Sequence, residues 1–172
     1  MSMITKYKLF ENNLKAQDLI IDLFNSDNTI TCEAIKNIKN HINDIMYSGF
    51  DILSLLIFRE KDSSLIKCAI DAGADINNRI KSSSPIDVNS SISSNGFLRI
   101  YDMSPLILAT LRGVTYTNIR ILIDAGADWY IKDSYGNDFT DYLYDSDKWL
   151  SENYPEKYEE FIKYKKASEF NL

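Results

Sequence analysis

The chain has 172 residues, 45% of them apolar, and a formal net charge of −6. That length supports one sizeable core and not several independent domains, and no apolar run approaches the ~20 residues needed to cross a bilayer. A pI near 4.8 without a basic stripe argues against a nucleic-acid binder, whose affinity comes largely from Lys and Arg on phosphates.

Residues 1–16 mix charges and amides with little periodicity and are expected to form an N-terminal tail or cap, with a single domain over 17–172. Residues 1–11 lack the basic-then-apolar order of a secretory signal, so a cytoplasmic protein is expected. Leu14, Leu19, Ile20, Leu23 and Phe24 begin a helical stripe. After a polar cluster at 25–28, Thr31 is suited to cap a second helix, with Glu33 where the helix dipole favours a negative charge. Ile35, Ile38, Ile42 and Ile45 supply its apolar face or continue it into an extended exit. Cys32 and Cys68 show no C-x-x-C spacing, so they read as reduced core thiols in a reducing cytosol, not as a disulfide or a zinc site. The one histidine, His41, has Asp44 nearby but no second His or Cys, and neither a metal nor another cofactor is expected.

From Gly49 a repeated grammar is legible. Ile52, Leu53, Leu55, Leu56 and Ile57 make a short buried helix, and Leu65, Ile66, Ala69 and Ile70 a second that ends at Gly73. The same order returns as Ser104-Pro105-Leu106-Ile107-Leu108-Ala109, then Ile119, Ile121, Leu122, Ile123 and Gly126. Pro105 suits a first helical turn, where its missing N–H is not needed, and Ser104 suits the cap before it. Most directly, Ile70-Asp71-Ala72-Gly73-Ala74-Asp75 recurs unchanged as Ile123-Asp124-Ala125-Gly126-Ala127-Asp128.

These residues resemble the ankyrin repeat family. Ser104 to Ala109 stands where the family has T-P-L-H-x-A, with Ile107 in place of the histidine, and Gly73-Ala74-Asp75-Ile76-Asn77 matches its G-A-D-V-N segment. Helix starts near Leu19, Leu53, Leu106 and Thr140 are separated by 34, 53 and 34 residues. Against a period of about 33 residues, the resemblance implies an all-α solenoid of about four helix-turn-helix repeats with hairpin fingers. One finger is enlarged by an insertion over 79–101, and a C-terminal capping repeat covers 133–166. Terminal repeats of such stacks replace outward apolar residues with polar ones. Within the insertion, Asn95-Gly96 is a turn signal and Phe97-Leu98-Arg99-Ile100-Tyr101 a strand-like run.

Acidity is concentrated late in the chain. Between Asp124 and Glu160 there are eleven acidic residues against Lys132, Lys148 and Lys157, a local charge of −8. A solvated acidic face or a partner with a basic surface both fit. Asp138, Asp141 and Asp145 have helical spacing, the minimum for a metal or acid/base site. No histidine, phosphate loop or nucleophile with a base accompanies them. A non-enzyme is expected.

The ankyrin resemblance implies that finger tips and inner helices contact another protein. The corresponding inner-helix positions are Phe58 and Leu111, followed by Arg59 and Arg112, a set combining apolar anchors with cations that orient carboxylates. Met46, Tyr47, Phe97, Arg99, Tyr101, Tyr130 and Tyr135 fall along the same rim, while Trp129 is assigned to the core. On this reading, Phe58→Ala with Leu111→Ala leaves the melting point nearly unchanged and weakens partner capture by at least about tenfold. The expected function is that of a small acidic binding or inhibitor protein of the immunity, antitoxin-like or antidefence type, monomeric alone. The alternative is a host-directed effector of an intracellular bacterium or large virus, and an enzyme using the acidic C-terminal repeat is the least supported.

Overall fold

The computed structural model describes residues 30–44, 49–80, 86–87, 97–98, 102–112, 115–143 and 145–170. The expected tail 1–16, the stripe from Leu14 to Phe24, and Met46, Tyr47, Arg99 and Tyr101 lie outside them. The described helices are α1 (Cys32–Asn37), α2 (Ile52–Phe58), α3 (Ser63–Asp71), α4 (Pro105–Leu111), α5 (Tyr116–Asp124), α6 (Ser146–Asn153) and α7 (Pro155–Phe170). Lys39–His41 and Phe139–Asp141 form 3-10 turns. Apart from two strands of two residues each, the described fold is all-α.

Helix starts are set by side chains that accept an otherwise unpaired backbone N–H. Thr31 accepts from Ala34 at 3.2 Å, Asp51 from Ser54 at 2.7 Å, and Asp62 from Ser64 at 2.7 Å. Ser104 accepts from Ile107 at 3.3 Å, with Pro105 opening α4 as its sequence position predicts. Helix ends are set by the duplicated hexapeptide. Gly73 and Gly126 take φ of +99° and +97°, a region where a Cβ is strained. In each copy the glycine N–H bonds back to Ile70 or Ile123, at 2.9 and 3.0 Å, and the next alanine N–H reaches Ala69 or Leu122 at 3.0 Å. This is the paired-bond Schellman ending. Asp75 and Asp128 then accept the N–H two residues on, at 2.9 and 2.8 Å, fixing the turn that follows.

The outcome is two helix pairs of matching size, of 7 and 9 residues each. α2 packs on α3 and α4 on α5, and the pairs stack so that α2 meets α4 and α3 meets α5. α1 extends the α3–α5 layer and the Phe139–Asp141 turn extends the α2–α4 layer. Position in the stack explains composition. α4 has neighbours on several sides and all seven of its residues are buried, whereas α3 buries only Ile66 and Ala69.

An asparagine ladder ties successive helix exits together. The Asn43 side chain donates to the Gly73 carbonyl at 3.0 Å and accepts from the Asp75 N–H at 2.7 Å. At the equivalent place after α3, Asn77 accepts from the Asp128 N–H at 2.9 Å. The next equivalent residue is Tyr130, which instead packs its ring on Phe161 and Tyr164. Asn43→Ala removes both bonds of its rung and is expected to cost about 2 kcal/mol, at roughly 1 kcal/mol per bond, read as a lowered urea midpoint. Asn40→Ala on the exposed 3-10 turn is the control, with a change within about 0.5 kcal/mol; equal effects at the two sites would deny the ladder a role.

The insertion leaves and returns at one point. The Ile80 N–H donates to the Met103 carbonyl at 2.9 Å, and the Asp102 N–H to the Ile80 carbonyl at 2.8 Å. Arg79 closes this base, binding Asp102 Oδ1 at 2.6 Å and the carbonyls of Asp102 and Lys132. Further out, β1 (Ile86–Asp87) pairs antiparallel with β2 (Phe97–Leu98), Ile86 opposite Leu98 and Asp87 opposite Phe97. Asn95-Gly96 lies outside the described residues.

Two expectations need correction. Near Thr140 the chain makes a single 3-10 turn, not a full inner helix. Asp138 and Asp141 cap one another's backbone there, and Asp145, at φ 55°, redirects the chain into α6. The cysteines are not reduced core thiols: Cys32 and Cys68 form a disulfide between α1 and α3, with Cα atoms 5.6 Å apart and both residues only partly buried. Their sequence separation of 36 resembles no zinc or redox motif. It falls close to one repeat length, which is what brings the two residues onto adjacent helices of one layer.

Candidate partner-binding face

Two clusters organise the side chains singled out in sequence. The first lies where α2 and α4 end. Phe58, partly buried, packs on Phe50 with ring centroids 5.2 Å apart, and the Arg112 guanidinium lies 4.8 Å over the Phe58 ring. Arg112 Nη2 donates to Glu60 Oε1 at 2.8 Å, and its side chain is 13% exposed. Both features hold the guanidinium flat against the protein. Arg59, partly buried, follows α2 and sends its backbone N–H back to Leu55. Leu111 is 1% exposed and belongs to the core. The structure therefore joins Phe58 to Arg112, a pairing across two different register positions, and removes Leu111 from any surface a partner can touch.

The second cluster surrounds Trp129, which is 1% exposed and so sits in the core as assigned. Phe139, Tyr154 and Phe161 meet its ring at centroid distances of 5.3, 5.9 and 5.7 Å, edge-on arrangements favoured by the aromatic quadrupole. Lys157 lies 4.7 Å over the same ring, and burial pulls its ammonium below the ordinary lysine value despite the opposing charge of Asp128. At the margin, Tyr130 is 38% exposed and packs on Tyr164, itself 43% exposed, at 4.6 Å. Among the described residues Tyr135 is the most exposed of the large hydrophobic side chains, at 59%. Only the backbone of Phe97 is described, within β2.

Tyr135 is presented by a closed loop. Asp133, buried, accepts the N–H groups of Tyr135 and Asn137 at 2.8 and 3.0 Å and the Tyr142 hydroxyl at 2.6 Å. The Tyr142 hydroxyl is pushed up to about 12, by burial first and then by its bond to Asp133. Tyr154 is pushed to about 12 in the same way, by burial and by donation to Asp124 at 2.8 Å. Both phenols are thus structural donors at neutral pH.

The three aspartates with helical spacing do not converge on an open site. Asp138 is 2% exposed and meets Lys165 Nζ at 3.0 Å, while Asp141 accepts from the Asp138 N–H at 2.8 Å and from Lys165 at 3.2 Å. Asp145 is exposed, one turn further along. Among the described residues no group of three His, Cys, Asp or Glu is placed to hold a metal. His41 Nδ1 lies 2.8 Å from Asp44 Oδ2, a local contact within its own segment.

Sequence reading missed Phe50, Glu60 and Tyr164. Glu60 and Phe50 carry no pattern that places them on Phe58 and Arg112, since both contacts depend on turns between helices. Tyr164 was legible in principle, three residues after Phe161 on α7 and so able to share its side of the helix. No protein-family model matches the sequence, and no curated protein matches it. Among the described residues no helix is long and apolar enough to cross a membrane.

Proposed function

We propose that this chain is a non-catalytic protein–protein interaction module of the ankyrin-repeat kind, acting in the cytoplasm as a small acidic binding or inhibitor protein of the immunity, antitoxin-like or antidefence type. The observation that carries this reading is the repeat itself: two helix pairs of equal size, capped alike, ended by the same hexapeptide and linked rung to rung by Asn43 and Asn77. A stack of this kind offers continuous surface in place of a reaction centre. Its most available contact residues are Tyr130 and Tyr135, with the edges of Phe58, Arg59 and Arg112 beside Glu60.

Charge favours a basic partner. Of the eleven acids between Asp124 and Glu160, all but Asp133 and Asp138 are exposed, and an acidic field of this sort speeds encounter with a cationic surface. The test is affinity capture with the intact chain and with a Tyr130→Ala, Tyr135→Ala variant, read by quantitative mass spectrometry. A genuine partner is retained at least about tenfold less by the variant, equivalent to about 1.4 kcal/mol, with the melting point unchanged, and is released as salt rises through 0.5 M. A set of captured proteins identical for both baits would sink the proposal.

A further inference from the structure

We infer that Cys32 and Cys68 form a thiol–disulfide exchange site that latches residues 31–44 onto α3. This segment contains one α-helix of six residues, and a helix that short does not hold its shape alone in water. Its order comes from docking. Ile35, Ile38 and Ile42 are buried in the core, and each end carries its own attachment. At the start, Cys32 is bonded to Cys68 of α3. At the end, Asn43 holds Gly73 and Asp75, where the chain leaves the same helix.

The two attachments differ in kind. The amide rung is present under all redox conditions, whereas the disulfide is present only when oxidised. Opening it removes the tether at the α1 end and leaves the isoleucines and the Asn43 rung, so the segment loosens while the α4–α5 pair, which meets α2 and α3 but carries neither cysteine, keeps its packing. The bond closes a loop spanning 36 residues of sequence, a length over which a cross-link restricts the open chain strongly.

Exchange requires a thiolate to reach a sulfur, and both cysteines are partly exposed. A small thiol of the glutathione class attacks one sulfur, forming a mixed disulfide and releasing the other cysteine as a thiolate. A second small thiol displaces the first as the small disulfide, so two electrons pass to the protein and its two cysteines end as thiols after taking up two protons. A small disulfide drives the reverse. In the proposed cytoplasmic setting the pair rests as thiols, and oxidation closes the latch. This inference does not depend on which partner the chain binds.

The test is amide hydrogen exchange on the full chain, equilibrated with oxidised or reduced glutathione, with alkylation and mass measurement counting free thiols. The oxidised chain is expected to show no free thiol, and amides within 32–44 to exchange at least about tenfold more slowly than in the reduced chain. Amides of α4 and α5 are expected to agree within about twofold, and Cys68→Ser to give the reduced pattern in both buffers. Failure of the bond to form under oxidised glutathione, equal exchange of 32–44 in the two states, or a change spread evenly over α4 and α5 would each overturn the latch.

Discussion

Leu111→Ala is expected to destabilise the fold by about 2 to 5 kcal/mol, the range for emptying a fully buried leucine site, and to lower the melting temperature by roughly 10 °C for a chain of this size. Leu111 closes α4, a helix with no exposed residue, packed between α2, α5 and the Phe139–Asp141 turn. Neighbours on so many sides leave little freedom to collapse into the space an alanine opens. Leu111→Met conserves volume and is expected to cost less than about 1.5 kcal/mol. Urea unfolding measures both. A loss below about 1 kcal/mol for the alanine variant would show that the site relaxes freely and that α4 is not wedged as described. The result would also separate Leu111 from Phe58, whose partly buried ring lies between Phe50 and Arg112 at the margin of the stack. Reading the two as equivalent contact residues placed them correctly along their helices, but the expectation of an unchanged melting point fails on the burial of Leu111.

What was legible in the sequence was periodic. Caps at Thr31 and Ser104, the ending at Gly73 and Gly126 and the equal helix pairs all follow from local residue preferences, the last two from a pattern that returns after an insertion. So does the core position of Trp129. Interactions that cross from one repeat to the next were not legible in this way. The pairing of Cys32 with Cys68 depends on two outer helices lying side by side, and spacing rules built for metal sites and redox motifs assign nothing to a separation of 36. The salt bridge from Arg112 to Glu60 joins residues 52 apart and turns a cation expected to meet a partner's carboxylate toward one of the protein's own.

The acidic C-terminal region shows the same division between pattern and placement. A count of charges treats Asp133, Asp138 and their exposed neighbours alike. The structure separates them: Asp133 organises the loop that presents Tyr135, Asp138 caps a turn beneath α7, and the remaining acids face solvent. Only that last group can form a field seen by a partner. The long final helix makes the distinction possible, because α7 brings Lys165 back over residues 24 and 25 positions earlier.

Lys165→Met is accordingly expected to cost on the order of 3 kcal/mol, the lower end of what breaking a buried ion pair costs. Asp138 is 2% exposed and its carboxylate meets Lys165 at 3.0 Å, while Lys165 keeps 27% of its side chain in water. That partial exposure, and the Thr140 N–H that Asp138 still accepts, limit the loss. Methionine keeps an unbranched apolar stem and removes the ammonium, which lies 5.6 Å from the Phe161 ring centroid, so the measured change reports mainly on charge. Burial pulls the Lys165 ammonium down, but the bonds and charges of Asp138 and Asp141 outweigh it and its pKa ends above the ordinary value of 10.5. A raised lysine contributes stability that is complete below 10.5 and is lost as pH rises through the folded value. The gap between native and Lys165→Met chains is therefore expected to stay level from pH 7 to 9 and to narrow only beyond 10.5. Adding Asp138→Asn to the lysine variant should recover part of the loss, because the uncompensated charge is gone. A gap that widened with alkaline pH, or a double variant as unstable as the sum of the singles, would mean that the pair does not anchor α7.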